Sequence, residues 1–66
     1  MRYEDTVNGR RIGVWTVEEN SRWIWRYSID SGPVVKSEGG PNAPQRLVLC
    51  KGIDQARRDV LRRAVT

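Results

Sequence analysis

Lys51, Arg58 and Arg62 are spaced by seven and then four residues. On a helix that turns ~100° per residue they fall on one stripe. A row of cations on one face can follow a phosphate backbone. The same segment places Asp54 four residues before Arg58 and Asp59 four before Arg63. That order steadies an exposed helix by about 0.2–0.5 kcal/mol per pair, and cations near a helix C-terminus oppose its dipole favourably. A solvated helix face is therefore the first reading of the stripe, and nucleic-acid contact through Lys51, Arg58 and Arg62 is the alternative. The net charge of +4 supports that focus. Residues 1–40 carry six basic and six acidic residues, whereas residues 41–66 carry six basic and two acidic.

Catalytic chemistry has little to work with. The chain has no histidine and one cysteine, which removes Ser-His-Asp and Cys-His nucleophiles, an internal disulfide and a His/Cys zinc site. Glu4-Asp5 and Glu18-Glu19 are sequence neighbours, and neighbours in a strand point to opposite faces, so surface charge is their expected role. Gly39-Gly40-Pro41 lacks the Lys-Ser/Thr that completes a phosphate-binding loop. We expect no enzyme, no cofactor, no metal and no small-molecule substrate. Cys50 lies beside Leu49 and Ile53 and is expected to pack as a small buried hydrophobe. The lone thiol suits a reducing cytoplasm. Met1-Arg2-Tyr3-Glu4-Asp5 leads into no apolar run, and no stretch approaches the ~18 residues of a membrane span. The expected location is cytoplasmic, away from membranes.

These side chains need elements to hold them. Asn8-Gly9 is the strongest turn signal, suited to a type I′ hairpin between strands at residues 2–7 and 10–18. Residues 22–30 alternate cleanly. Trp23, Trp25, Tyr27 and Ile29 share one face, which reads as the row beneath a helix. Asp30-Ser31-Gly32-Pro33 is a turn on composition, and residues 34–37 form a weaker strand. If Ile12, Val14 and Thr16 face inward, Trp15 is left outside beside Ile24, giving the bare sheet face an apolar contact surface.

The C-terminal stretch has two readings: a strand at 46–50 followed by a short helix, or one helix over 43–64. The long helix is favoured. Asn42, Pro44 and Gln45 suit an N-terminus, and Leu49, Ile53, Ala56, Val60 and Ala64 keep helical spacing, with Cys50 and Leu61 widening the face. Gly52 is taken as an ordinary, solvent-facing helical residue costing roughly 1 kcal/mol relative to alanine. Arg46 and Arg57 fall within the apolar arc without an explanation. The fold expected is α+β, a single domain over 1–66: an antiparallel sheet of three or four strands with one amphipathic C-terminal helix on one face (βββα or ββββα). A helix of ~33 Å would overhang strands of ~27 Å, leaving an end with Leu61, Ala64 and Val65 for a partner.

The Trp-rich strand, the turn Ile29-Asp30-Ser31-Gly32-Pro33 and the helix sequence Gly52-Ile53-Asp54-Gln55-Ala56-Arg57 resemble small bacterial proteins of unknown function, over most of the chain. That likeness implies the β-then-α fold and no activity or site. The order is also similar to double-stranded-RNA-binding domains without their first helix, although their lysine-rich helix start is absent. A domain this small buries only about 60 % of its unfolded surface, so a second copy or another protein is the expected partner. The functional expectation is a non-catalytic interaction or self-association module using Trp15, Ile24 and Leu61, with nucleic-acid binding as the alternative.

Overall fold

The computed structural model describes residues 1–37 and 42–64. Gly39-Gly40-Pro41 and Val65 lie outside the described residues. Four strands, β1 (Arg2–Val7), β2 (Arg10–Glu19), β3 (Arg22–Ile29) and β4 (Val35–Lys36), form an antiparallel sheet in the order β1-β2-β3-β4. Helix α1 (Gln45–Ala64) follows and packs on one face, mainly over β2 and β3. This is the ββββα arrangement, and residues 46–50 are helical.

Two-residue turns set the register. Asn8 and Gly9 have φ of 50° and 79°, and Asn20 and Ser21 have 53° and 61°, the paired left-handed conformations that match strand twist. The hairpins close on Val7↔Arg10 and Glu19↔Arg22. Asp30 then locks the far end of the sheet. Its amide donates to the Arg11 carbonyl (2.8 Å), and its carboxylate accepts from the Arg11 amide and the Arg10 guanidinium, both at 3.0 Å.

The register buries Ile12, Val14, Tyr27 and Ile29 against Ala56 and Val60. Trp25 stacks on Tyr27 with ring centroids 5.5 Å apart. The helix comes close because its buried line is Val48, Gly52, Ala56 and Val60, four positions apart and small at the centre. Gly52 is therefore not solvent-facing. A Cβ there would lie 2.7 Å from Trp25 Cβ and 2.9 Å from Val14 Cγ1. The arc is rotated from the expected one: Leu49 and Ile53 are only partly buried, and Cys50 is exposed. With Gly52 and Ala56 against the aromatic row, the larger side chains on either side are pushed to the margins, and Cys50 is turned to solvent.

The helix begins at Gln45, two residues later than the spacing suggests. The Pro44 carbonyl accepts the first helical bond from Val48 (3.1 Å), and the Gln45 side-chain Nε2 donates to Thr16 Oγ1 on β2 (2.9 Å). No helix among the described residues is long and apolar enough to cross a membrane.

Candidate functional site

Strand alternation sorts charge in a way that counting along the chain does not reveal. The face of the sheet away from α1 carries Arg2, Glu4 and Thr6 from β1, Arg11, Gly13, Trp15, Val17 and Glu19 from β2, Arg22, Ile24, Arg26 and Ser28 from β3, and Lys36 from β4. Among the described residues five cations meet two carboxylates there, a net of +3. Asp5 and Glu18 occupy the opposite register with Arg10. The front of the chain is balanced in sequence, yet its uncovered face is basic.

One cross-strand row runs through all four strands: Arg2↔Trp15, Trp15↔Arg26 and Arg26↔Lys36. The Arg2 guanidinium lies over the Trp15 ring at 5.5 Å, near enough for cation–π attraction. Arg2 also pairs with Glu4 at 3.3 Å, and Arg26 with Glu19 at 3.2 Å. Arg26 Nε is buried with no acceptor among the described residues. The Arg11 and Lys36 side chains are exposed and hold no ion pair or side-chain hydrogen bond among the described residues. Trp15 and Ile24 share this face, as the alternation implies. They are diagonal neighbours, with Val17 directly opposite Ile24, and all three are half-buried.

The helical stripe looks different in three dimensions. Lys51, Arg58 and Arg62 are all exposed. Arg58 is paired with Asp54 at 3.0 Å, and Arg62 with Asp59 at 2.9 Å, so Lys51 is the member of the stripe left to meet a phosphate. Asp59 is not the surface residue that its spacing to Arg63 suggests. It is 5 % exposed and accepts from Tyr27 (2.9 Å), Arg62 and Arg63. Burial alone would raise its carboxyl, and the bonds from Arg62, Tyr27 and Arg63 overcome that and hold it below the usual value. Burial first, and the bond to Asp59 second, push the Tyr27 hydroxyl up to about 12.

Arg57 is explained by β1. It donates to the Tyr3 hydroxyl at 2.9 Å and reaches Asp5 at 3.4 Å. Leu61 stands in solvent, as does Leu47, each more than half exposed. They are two turns either side of Asp54 on the outer side of α1. Alternation would have found the basic sheet face, had charge been counted by face instead of by position. Among the described residues no group of acidic, cysteine or histidine side chains could hold a metal ion.

The chain matches no protein-family model, no curated protein and no solved structure, so the likeness of its motifs to small bacterial proteins stays an expectation.

Proposed function

We propose that this chain is a non-catalytic binding domain that holds a single strand of nucleic acid across the uncovered face of its sheet. The observation that carries this reading is the row Arg2–Trp15–Arg26–Lys36, one flat aromatic ring among three cations spanning every strand. Bases stack on aromatic and guanidinium planes, while neighbouring cations neutralise the backbone. The same face is poorly suited to meeting its own copy, because two net charges of +3 would be opposed.

Fluorescence anisotropy with labelled single-stranded DNA and RNA tests the reading. Binding should weaken with salt, by a log–log slope of about −0.7 per phosphate contacted. The double change Arg11→Gln and Lys36→Gln should remove most of it. Changing Lys51, Arg58 and Arg62 together to Gln should matter less, since two of them already hold carboxylates. Loss confined to the helix triple would move the site to α1.

A second reading is self-association through the outer side of α1, favoured by the exposure of Leu47 and Leu61. Concentration-dependent mass in sedimentation, abolished by Leu61→Glu, together with no binding of either oligonucleotide, would put it first.

A further inference from the structure

Gly13 sits in the middle of β2, paired with Glu4 on one side and Ser28 on the other. Nothing in the fold asks for a glycine there. The register runs through it without a bulge, and its backbone is not in the left-handed region. A Cβ would meet only Arg2 Nη2 at 3.8 Å and Ser28 Oγ at 3.9 Å, ordinary contact distances. Glycine weakens a strand interior, and besides bulges and bends it often marks a site where a ligand or another backbone approaches closely. The space is an open hollow of about 350 Å³ whose rim includes Arg2, Arg11, Thr6 and Ser28.

We propose that this hollow seats one phosphodiester group of the bound strand, over Gly13 and between the Arg2 guanidinium and the Ser28 hydroxyl, with Arg11 closing the side. The inference rests on the nucleic-acid reading above and names where that ligand is gripped. Two guanidinium forks and a hydroxyl supply donors from several directions, which suits the oxygens of a phosphate. One carboxylate, Glu4, shares the hollow's face, and Asp5 borders it with its side chain in the opposite register. Asp5 is engaged by Tyr3, the Thr6 amide and Arg57. Glu4 is held by Arg2 in a pair whose side chains are both about two-thirds exposed, and exposed pairs of that kind are weak. Arg2 is thus free to exchange Glu4 for phosphate, and Glu4 opposes the incoming charge. The seat carries its own antagonist.

Two variants and one direct titration test this. Gly13→Ala sets a methyl on the floor of the hollow, where the phosphate would rest, without a clash, so its melting temperature should equal or exceed the parent's while affinity for a single-stranded oligonucleotide falls at least tenfold. Ser28→Ala should weaken binding in the same direction. Glu4→Gln should tighten it several-fold. Separately, inorganic phosphate titrated into the isotope-labelled protein should shift the Gly13 and Ser28 amide resonances saturably, and not in Gly13→Ala. Oligonucleotide binding that is unchanged by Gly13→Ala overturns the seat and leaves the domain's function standing. Phosphate shifts at Gly13 without any oligonucleotide binding keep the seat and overturn the nucleic-acid reading. Neither signal overturns both.

Discussion

Tyrosine, aspartate and arginine meet twice in this domain, once where α1 faces β3 and once where it faces β1. In the first cluster the carboxylate belongs to the helix: Asp59, nearly buried, takes the Tyr27 hydroxyl from below and Arg62 and Arg63 from the solvent side. In the second the helix supplies the cation. Arg57 reaches down to Tyr3 and Asp5, which bond each other at 2.8 Å on an edge strand. The residue types match and the surroundings do not. A hydrogen bond replaced by water costs little on a surface, whereas a buried group left without its partner keeps the whole desolvation penalty. The β3 cluster should therefore hold the helix in place, and the β1 cluster should only decorate its edge.

The largest effect is expected from Asp59→Ala. It leaves the Tyr27 hydroxyl, on a side chain 4 % exposed, with no acceptor. The two arginines add little to the loss, since their side chains are 80 % and 52 % exposed and stay hydrated. A cost of about 2–3 kcal/mol follows from the orphaned hydroxyl and its lost bond to a carboxylate. That is a large fraction of what a domain of this size has, on the order of 3–10 kcal/mol. Urea unfolding measures it, and a loss below about 0.5 kcal/mol would erase the distinction between the clusters.

Gly52→Ala comes next, because the reach from Tyr27 to Asp59 depends on how near the helix lies. An alanine gains roughly 1 kcal/mol in helix propensity. Its methyl would overlap Trp25 Cβ and Val14 Cγ1. Both atoms are tied closely to strand backbone, so the helix must move, and overpacking of this kind costs about 1–3 kcal/mol. The clash should win, by about 1 kcal/mol net. Thermal melting of the variant decides it: a raised midpoint would mean that the helix does not rest on these two side chains.

Titration at the alkaline end separates the clusters as well. The Tyr27 hydroxyl is raised in the folded state, from 10.0 to about 12. Its contribution is complete below pH 10 and is lost as pH rises from 10 towards 12, because the unfolded chain gives up the proton first. Asp59 works in the other direction. Its folded value is lowered, so its contribution is present above the ordinary carboxylate range and fades as pH falls below it. Stability measured against pH should decline at both ends, and Tyr27→Phe should flatten the decline between pH 10 and 12. A decline of the same steepness in that variant would assign the alkaline limb to other groups.

The β3 cluster was the harder of the two to read from the sequence. Alternation in residues 22–29 and the Asn8-Gly9 turn are local signals, and they place the strands, the outward Trp15 and, of the expected row, Trp25, Tyr27 and Ile29 correctly, whereas Trp23 lies outside the core cluster. Asp59 carries a local signal too, its spacing to Arg63, and that signal suggests a solvated pair. What buries it is Tyr27, thirty-two residues away, a contact that exists only after the helix is set at one rotation on the sheet. That rotation turns on Gly52, whose lack of a side chain contributes nothing to an apolar pattern and so draws the expected arc towards Leu49 and Cys50. The basic sheet face was hidden for a similar reason, since its charges are neutralised along the chain and separated only across the pleat.

The smallest effect belongs to Arg57→Gln. The change removes the tie between α1 and β1 while leaving Tyr3 and Asp5 bonded to one another and Asp5 bonded to the Thr6 amide. The Asp5 carboxyl is held below its usual range by the Tyr3 hydroxyl first, the Thr6 amide second, and Arg57 only after these. Most of its environment therefore survives the substitution. Exposed ion pairs give back in side-chain ordering what they gain in attraction, and salt screens the remainder. The melting midpoint of Arg57→Gln should match the parent's in physiological salt and differ from it slightly, if at all, at low ionic strength. A Tyr3→Phe and Arg57→Gln cycle should show the two changes adding independently, whereas Tyr27→Phe and Asp59→Asn should be coupled. Strong coupling in the β1 pair would mean that water does not replace Arg57 there, and that the edge of the sheet is as firmly pinned as its centre.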